Sequence, residues 1–124
     1  MSYINSMKKQ IQMVEEFHQK LQVGVGKEPR LIDKDTALNR YKMMREEVEE
    51  YLEGVQDGDL PNIAKELCDI LYTTYGTIVE HGLQDKIEEI FKEVHHSNMT
   101  KDYDPIKAIK GSAYKGADIE QFFK

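Results

Sequence analysis

Two groups of carboxylates stand out for their spacing. Arg45-Glu46-Glu47-Val48-Glu49-Glu50 places Glu46 and Glu47 three or four residues from Glu50. Lys65-Glu66-Leu67-Cys68-Asp69 places Glu66 three residues before Asp69. Residues three or four apart share a helix face, so each group can converge on one side of a helix. Glu47 lies among Met44, Val48 and Tyr51 at the edge of an apolar stripe, and Glu66 lies between Ile63 and Ile70 on the inner side of its own helix. Gathering such pairs without a partner would cost several kcal/mol in desolvation and repulsion. A hard divalent cation removes that cost by taking carboxylate oxygens, at about 2.1 Å for Mg²⁺ in octahedral geometry. Mg²⁺ also shares its shell readily with phosphates, so an all-oxygen nest of four or five carboxylates reads as a Mg²⁺ or Mn²⁺ site for a polyphosphate. A glutamate run is ordinarily a solvated helix face, and Glu49 is read that way. The second acidic pair, in register on the next helix, argues against that reading for the others. Zinc is disfavoured, because Cys68 is alone and His95 and His96 are adjacent rather than one turn apart. His18 and His81 are read as structural, and Cys68 as a small core residue.

Helices must position these groups. A first helix is expected over residues 4–22, with Met7, Ile11, Val14, Phe17 and Leu21 in phase. Gly24, Gly26 and Pro29 break the pattern into a loop from Val23 to Lys34, long enough for a binding role. Asp35 is placed to cap a second helix running to about Gln56, with Leu38, Tyr41, Met44, Val48, Leu52 and Val55 as its stripe. Asp57-Gly58-Asp59 is a turn, and Pro61 suits the start of a third helix whose inner side carries Leu60, Ile63, Leu67, Ile70, Leu71, Thr74 and Ile78. His81-Gly82 ends it. A fourth helix follows from about Gln84 to Ser97, with Ile87, Ile90, Phe91 and Val94 inward. From about residue 99 to 124 the pattern dissolves into an irregular tail. Short turns make neighbouring helices antiparallel, which is the wiring of a helical bundle. The expectation is one all-α domain over residues 1–124, with broad stripes that call for a homo-oligomer.

The chain has 124 residues, 40% of them hydrophobic and 32% charged, and a formal net charge of -6. An acidic chain is a poor nucleic-acid binder. No apolar run approaches the roughly 20 residues that cross a bilayer, so no membrane partner is expected. The opening MSYINSMKKQ lacks the apolar core of a signal peptide. A single cysteine makes no internal disulfide, which suits a reducing cytoplasm.

A further signal is Ser97-Asn98-Met99-Thr100-Lys101 at the end of the fourth helix. Its amide and ammonium can hold phosphate oxygens, and a plain helix C-terminus with Asn and Lys reads the sequence equally well.

The order Glu46-Glu47-x-x-Glu50, Glu66-x-x-Asp69 and Ser97-Asn98-Met99-Thr100-Lys101 resembles the metal motif of the all-α nucleoside triphosphate pyrophosphohydrolase superfamily. The stretches Lys65–Thr77 and Glu93–Lys101, with the tail Lys107-x-x-Lys110-Gly111-x-x-Tyr114, are similar to its small MazG-like, phosphoribosyl-ATP-pyrophosphohydrolase-like branch, found in bacteria and phages. The resemblance covers roughly residues 35–115. It implies a four-helix MazG-like bundle assembled as a homodimer or homotetramer in the cytoplasm of a bacterial or phage-infected cell. It implies that Glu47, Glu50, Glu66 and Asp69 hold Mg²⁺, with Mn²⁺ as a substitute, and that Glu46 joins a further ion or orients the attacking water. Asn98 and Lys101 would take phosphates, Lys107, Lys110 or Tyr114 would close over the substrate, and the first helix with the Gly-Val-Gly loop would shape the base pocket. Either Glu46 or Glu47 would accept the proton of the attacking water. The implied reaction is hydrolysis of a (deoxy)nucleoside triphosphate to the monophosphate and pyrophosphate, with dGTP or dATP favoured by the branch. The alternatives are phosphoribosyl-ATP as substrate, or a non-enzymatic helical adaptor.

Overall fold

A computed structural model describes residues 6–124. It contains four α-helices: α1 (Ser6–Lys20), α2 (Lys34–Gln56), α3 (Leu60–Glu80) and α4 (Ile87–Asn98). A terminal 3₁₀ turn spans Glu120–Phe123. Among the described residues there is no extended strand; one antiparallel bridge pairs Asp102 with Ile109. Among the described residues no helix is long and apolar enough to cross a membrane. The all-α expectation holds, with the helix content of a four-helix bundle. The chain forms two compact units, one ending at Gln84 and the other running from Asp85 to Lys124.

In the first unit, α1 and α2 both pack on α3. Residues 4 and 5 of the expected first helix lie outside the described residues. That helix stops at Lys20 rather than residue 22, because Gln22 turns left-handed (φ 58°) while Val23 N–H donates back to the His18 carbonyl. Asp33, not Asp35, caps α2, accepting from the Thr36 amide at 3.0 Å and its hydroxyl at 2.6 Å. These bonds hold the Asp33 carboxyl below its ordinary pKa. Gly58 and Gly82 take positive φ (64° and 68°) just after the helix ends, as expected of the residue best suited to that geometry. Asp59 caps α3 through the Asn62 amide, with Pro61 in the first turn.

Among the described residues, Ile11, Val14 and Val79 are the buried apolar side chains. The expected stripe on α2 is not covered within the chain: Leu38, Tyr41, Val48, Leu52 and Val55 are each about half exposed. The side of α2 that meets α3 carries Arg40 and Gly54, and of the expected stripe Met44 reaches it, against Thr74 and Thr77. Leu60, Leu67 and Leu71 on α3, Phe17 on α1 and Leu21 just after it, and Phe91 and Val94 on α4 are likewise exposed rather than inward. Cys68 is exposed, not a core residue, because it sits on the outer face of α3 beside Leu67.

The segment between α1 and α2 is tied to the C-terminal end of α3. Gly26 N–H donates to the Val79 carbonyl, Arg30 N–H to the His81 carbonyl, and Gln84 Nε2 to the Gly26 carbonyl at 2.7 Å. His81 Nδ1 lies 2.8 Å from the Arg30 carbonyl, and His18 Nδ1 lies 2.9 Å from that of Gly24. Both histidines are therefore structural, as expected.

In the second unit the tail is fastened to the end of α4. Buried Ser97 donates to the Lys115 carbonyl at 2.7 Å, Thr100 Oγ1 accepts from the Lys115 amide, and Glu93 accepts from the Asp118 amide.

Candidate metal centre

The turn at Gly58 sets the register of the carboxylates. Glu50 and Glu66 each lie eight residues from Gly58, and Glu47 and Asp69 each lie eleven. Two antiparallel helices folded about that turn bring residues equidistant from it to one height, so both pairs arrive together. One carboxylate oxygen from each of Glu47, Glu50, Glu66 and Asp69 lies within 4.8 Å of all the others. Glu66 is buried, Glu47 and Asp69 are half-buried, and Glu50 is exposed.

The electrostatics are those of crowded acids. Desolvation first, then the charges of Asp69 and Glu66, raise the pKa of Glu47, although its contact with Glu50 pulls the other way. The close approach of the Glu66 carboxyl, then the charge of Glu47, pushes Glu50 up to about 7. Buried Glu47 Oε2 and Glu66 Oε2 have no hydrogen-bond partner among the described residues. A buried carboxylate oxygen without a donor carries a full desolvation penalty. Lys65 gives partial relief from outside: its Nζ lies 2.8 Å from Asp69 Oδ2 and 3.4 Å from Glu66 Oε1, which raises the lysine's pKa. Four carboxylates with two orphaned oxygens fit a hard divalent cation, which prefers oxygen ligands alone.

Glu46 is exposed and is not brought into this group. The other expected site residues all belong to the second unit. Asn98 is the exposed last residue of α4, and its carbonyl accepts from the amide of half-buried Lys101. Lys107 is exposed, its amide donating to Asp104. Lys110 and Tyr114 come together, the ammonium 5.2 Å from the ring centroid, and the Tyr114 hydroxyl lies 3.4 Å from Ser97 Oγ.

A second polar cluster occupies the far end of the same helix pair, and the sequence reading missed it. Arg40 is 5% exposed and donates from Nε to Thr77 Oγ1 at 3.1 Å and from Nη2 to the Thr73 carbonyl at 2.7 Å. Burial lowers its pKa, against which the charge of Glu80 acts. A Cβ on Gly76 would collide with the Arg40 guanidinium and the His18 ring, so only glycine admits both. The available signal was phase: Glu66, Asp69, Thr73, Thr77 and Glu80 follow one another at three- and four-residue intervals along α3.

The family model described as phosphoribosyl-ATP pyrophosphohydrolase matches residues 14–98. The match contains all four clustered carboxylates and ends before Lys101, Lys107, Lys110 and Tyr114. Comparison with curated proteins finds no match.

Proposed function

We propose a substrate and a mechanism on one premise: the chain belongs to the phosphoribosyl-ATP pyrophosphohydrolase family, and is thus a pyrophosphohydrolase of the MazG-like all-α superfamily. The proposed reaction is the Mg²⁺-dependent hydrolysis of a (deoxy)nucleoside triphosphate to the monophosphate and pyrophosphate, with purine deoxynucleotides favoured. The observation that carries it is the group of four carboxylates drawn within 4.8 Å, two of whose buried oxygens lack a donor.

Glu47, Glu50, Glu66 and Asp69 would hold Mg²⁺, with Mn²⁺ as a substitute. When bound, a divalent ion supplies neutralisation of phosphate charge and acidifies water at the site. Of the two candidate bases, Glu47 is supported by its place inside the group of carboxylates. Glu46, on the solvent side of the same helical turn, would orient the water or join a further ion. Asn98, Lys101, Lys107, Lys110 and Tyr114 carry the amide, ammonium and hydroxyl donors that suit phosphate oxygens. The half-exposed stripe Leu38, Tyr41, Val48, Leu52 and Val55 supports self-association as a homodimer or homotetramer. A light-scattering mass equal to one chain would sink that part.

A second reading, phosphoribosyl-ATP as the substrate, is favoured by the description of the matching family model. Pyrophosphate release should be followed from a panel of ribo- and deoxynucleoside triphosphates and phosphoribosyl-ATP, with Mg²⁺ and with EDTA. Metal-dependent release from a subset of triphosphates supports the first reading, and release from phosphoribosyl-ATP alone the second. No release from any, with a melting temperature indifferent to millimolar Mg²⁺, would leave a non-enzymatic adaptor.

A further inference from the structure

A cavity of about 310 Å³ opens beside the second polar cluster, at the end of α2 and α3 away from the four carboxylates. Its wall is formed by Gly24, Arg30, Leu31, Ile32 and Asp33 ahead of α2, Thr36 of α2 and Glu80 of α3, the Asp33 carboxylate being taken up by Thr36. Glu80 is only 5% exposed, yet its carboxylate makes no hydrogen bond or ion pair with any described residue; its backbone carbonyl alone is used, by Arg30 Nε at 2.9 Å. That bond fixes the Arg30 guanidinium beside the carboxylate. A Cβ on Gly24 would lie 3.5 Å from Glu80 Oε1 and 3.6 Å from Arg30 Nη2. The acid and the guanidinium therefore border one space above Gly24 without pairing with each other. Leu31 is 93% exposed and would gain cover from a flat ring laid against it.

This wall asks for a planar ligand with two adjacent N–H donors for the carboxylate and an acceptor beside them for the guanidinium. Guanine has that edge, with N1–H and N2–H₂ adjacent and O6 next to them. Adenine, cytosine and uracil each place an acceptor next to their donor, where a carboxylate would repel it. The separation also fits. Asp69 and Glu80 lie eleven residues apart on α3, which is about 16 Å and close to three full turns, so they share a face. An extended nucleoside triphosphate spans a comparable distance from terminal phosphate to base edge.

We propose that this cavity receives the guanine base of the substrate, Glu80 accepting from N1–H and N2–H₂ and Arg30 donating to O6. The assignment rests on the nucleotide-hydrolase reading above and names its base. The test is calorimetric binding of dGMP, dIMP, dAMP and dCMP to the intact protein in EDTA, which needs no turnover. Wild type should bind dGMP at least about tenfold tighter than dIMP, which lacks the 2-amino group, and than dAMP or dCMP. Glu80→Gln should keep its melting temperature and lose the ranking. Gly24→Leu, which fills the cavity and leaves the carboxylate in place, should weaken dGMP by a similar factor; it decides the matter if Glu80→Gln does not fold. Equal affinities, no dGMP binding at millimolar concentration, an intact ranking in Glu80→Gln or undiminished dGMP binding in Gly24→Leu would each overturn the assignment. A guanine ranking without pyrophosphate release from any triphosphate would sink the hydrolase reading and spare the cavity. Pyrophosphate release without a base ranking would do the reverse.

Discussion

The two ends of the α2–α3 pair solve the problem of a buried polar side chain in opposite ways. At the Arg40 end, the guanidinium meets a hydroxyl and a carbonyl, and His18 meets the Gly24 carbonyl. At the Gly58 end, four acids face one another, and two buried oxygens have no donor among the described residues. The Arg40 and His18 contacts are complete as the chain folds and hold the helices together, while Glu80 beside them keeps a carboxylate unpaired among the described residues. The group of four acids is left unfavourable by the chain alone, which is the condition under which an incoming cation is bound tightly. Polar groups on one interface thus divide by whether their partners lie within the protein.

The sharpest way to break this contrast is to neutralise the acids. Glu47→Gln or Asp69→Asn should leave the fold intact, with an apo melting temperature unchanged or raised. Pyrophosphate release should fall by at least about a hundredfold, since even outer-shell changes at metal sites cost up to that factor. Activity near wild type would refute the site. The matching change at the other end has the opposite sign. Arg40→Met, which strips hydrogen bonds from a charged donor, should lower unfolding free energy by about 2 kcal/mol in urea melts. Gly76→Ala, which drives a methyl into Arg40 and His18, should cost a similar amount. A neutral outcome at either position would erase the distinction.

How much of this was legible depended on whether a feature was local. The turn at Gly58, the glycine after α3 and the equal distances of the acid pairs from that turn follow from short spacings in the sequence. The α2 cap sits at Asp33, two residues before the expected Asp35, because both are competent and Thr36, whose amide and hydroxyl bond Asp33, decides between them. The stripes were read as inward because periodicity reveals which residues want cover, not whether the same chain provides it. Arg40, His18 and Glu80 are single residues far apart in sequence. Their meeting depends on a loop folding back onto α3, which no spacing announces.

The pH response sharpens the same comparison more gently. In the folded apo protein Glu50 titrates near 7, above its ordinary value of 4.5. The folded state then holds more protons than the unfolded state between those values. The stabilisation from Glu50 is full below about pH 4.5 and is lost as the pH rises through 7. The apo melting temperature should therefore fall between about pH 5 and pH 8, and millimolar Mg²⁺ should flatten the decline. A Mg²⁺-independent profile would count against the acids as ligands. The smallest effect is expected at Lys65, whose pairs are solvent-screened. Lys65→Met should leave the apo melting temperature almost unchanged. It should nevertheless tighten Mg²⁺ severalfold in a calorimetric titration, by removing a cation that competes for Asp69.

The stitching of the α1–α2 segment onto α3 has a thermodynamic consequence. Holding one residue's backbone in a single conformation costs roughly 1–2 kcal/mol of conformational entropy, and binding loops commonly meet that cost when the ligand arrives. Here the amides of Gly26 and Arg30 and the side chain of Gln84 are already committed to the helix end. At Gly26 the two backbones run so close that an added Cβ would sit 2.6 Å from the Gly82 nitrogen. The ordering is done during folding, so a molecule entering beside Glu80 finds a wall already in place and keeps its contact energy as affinity.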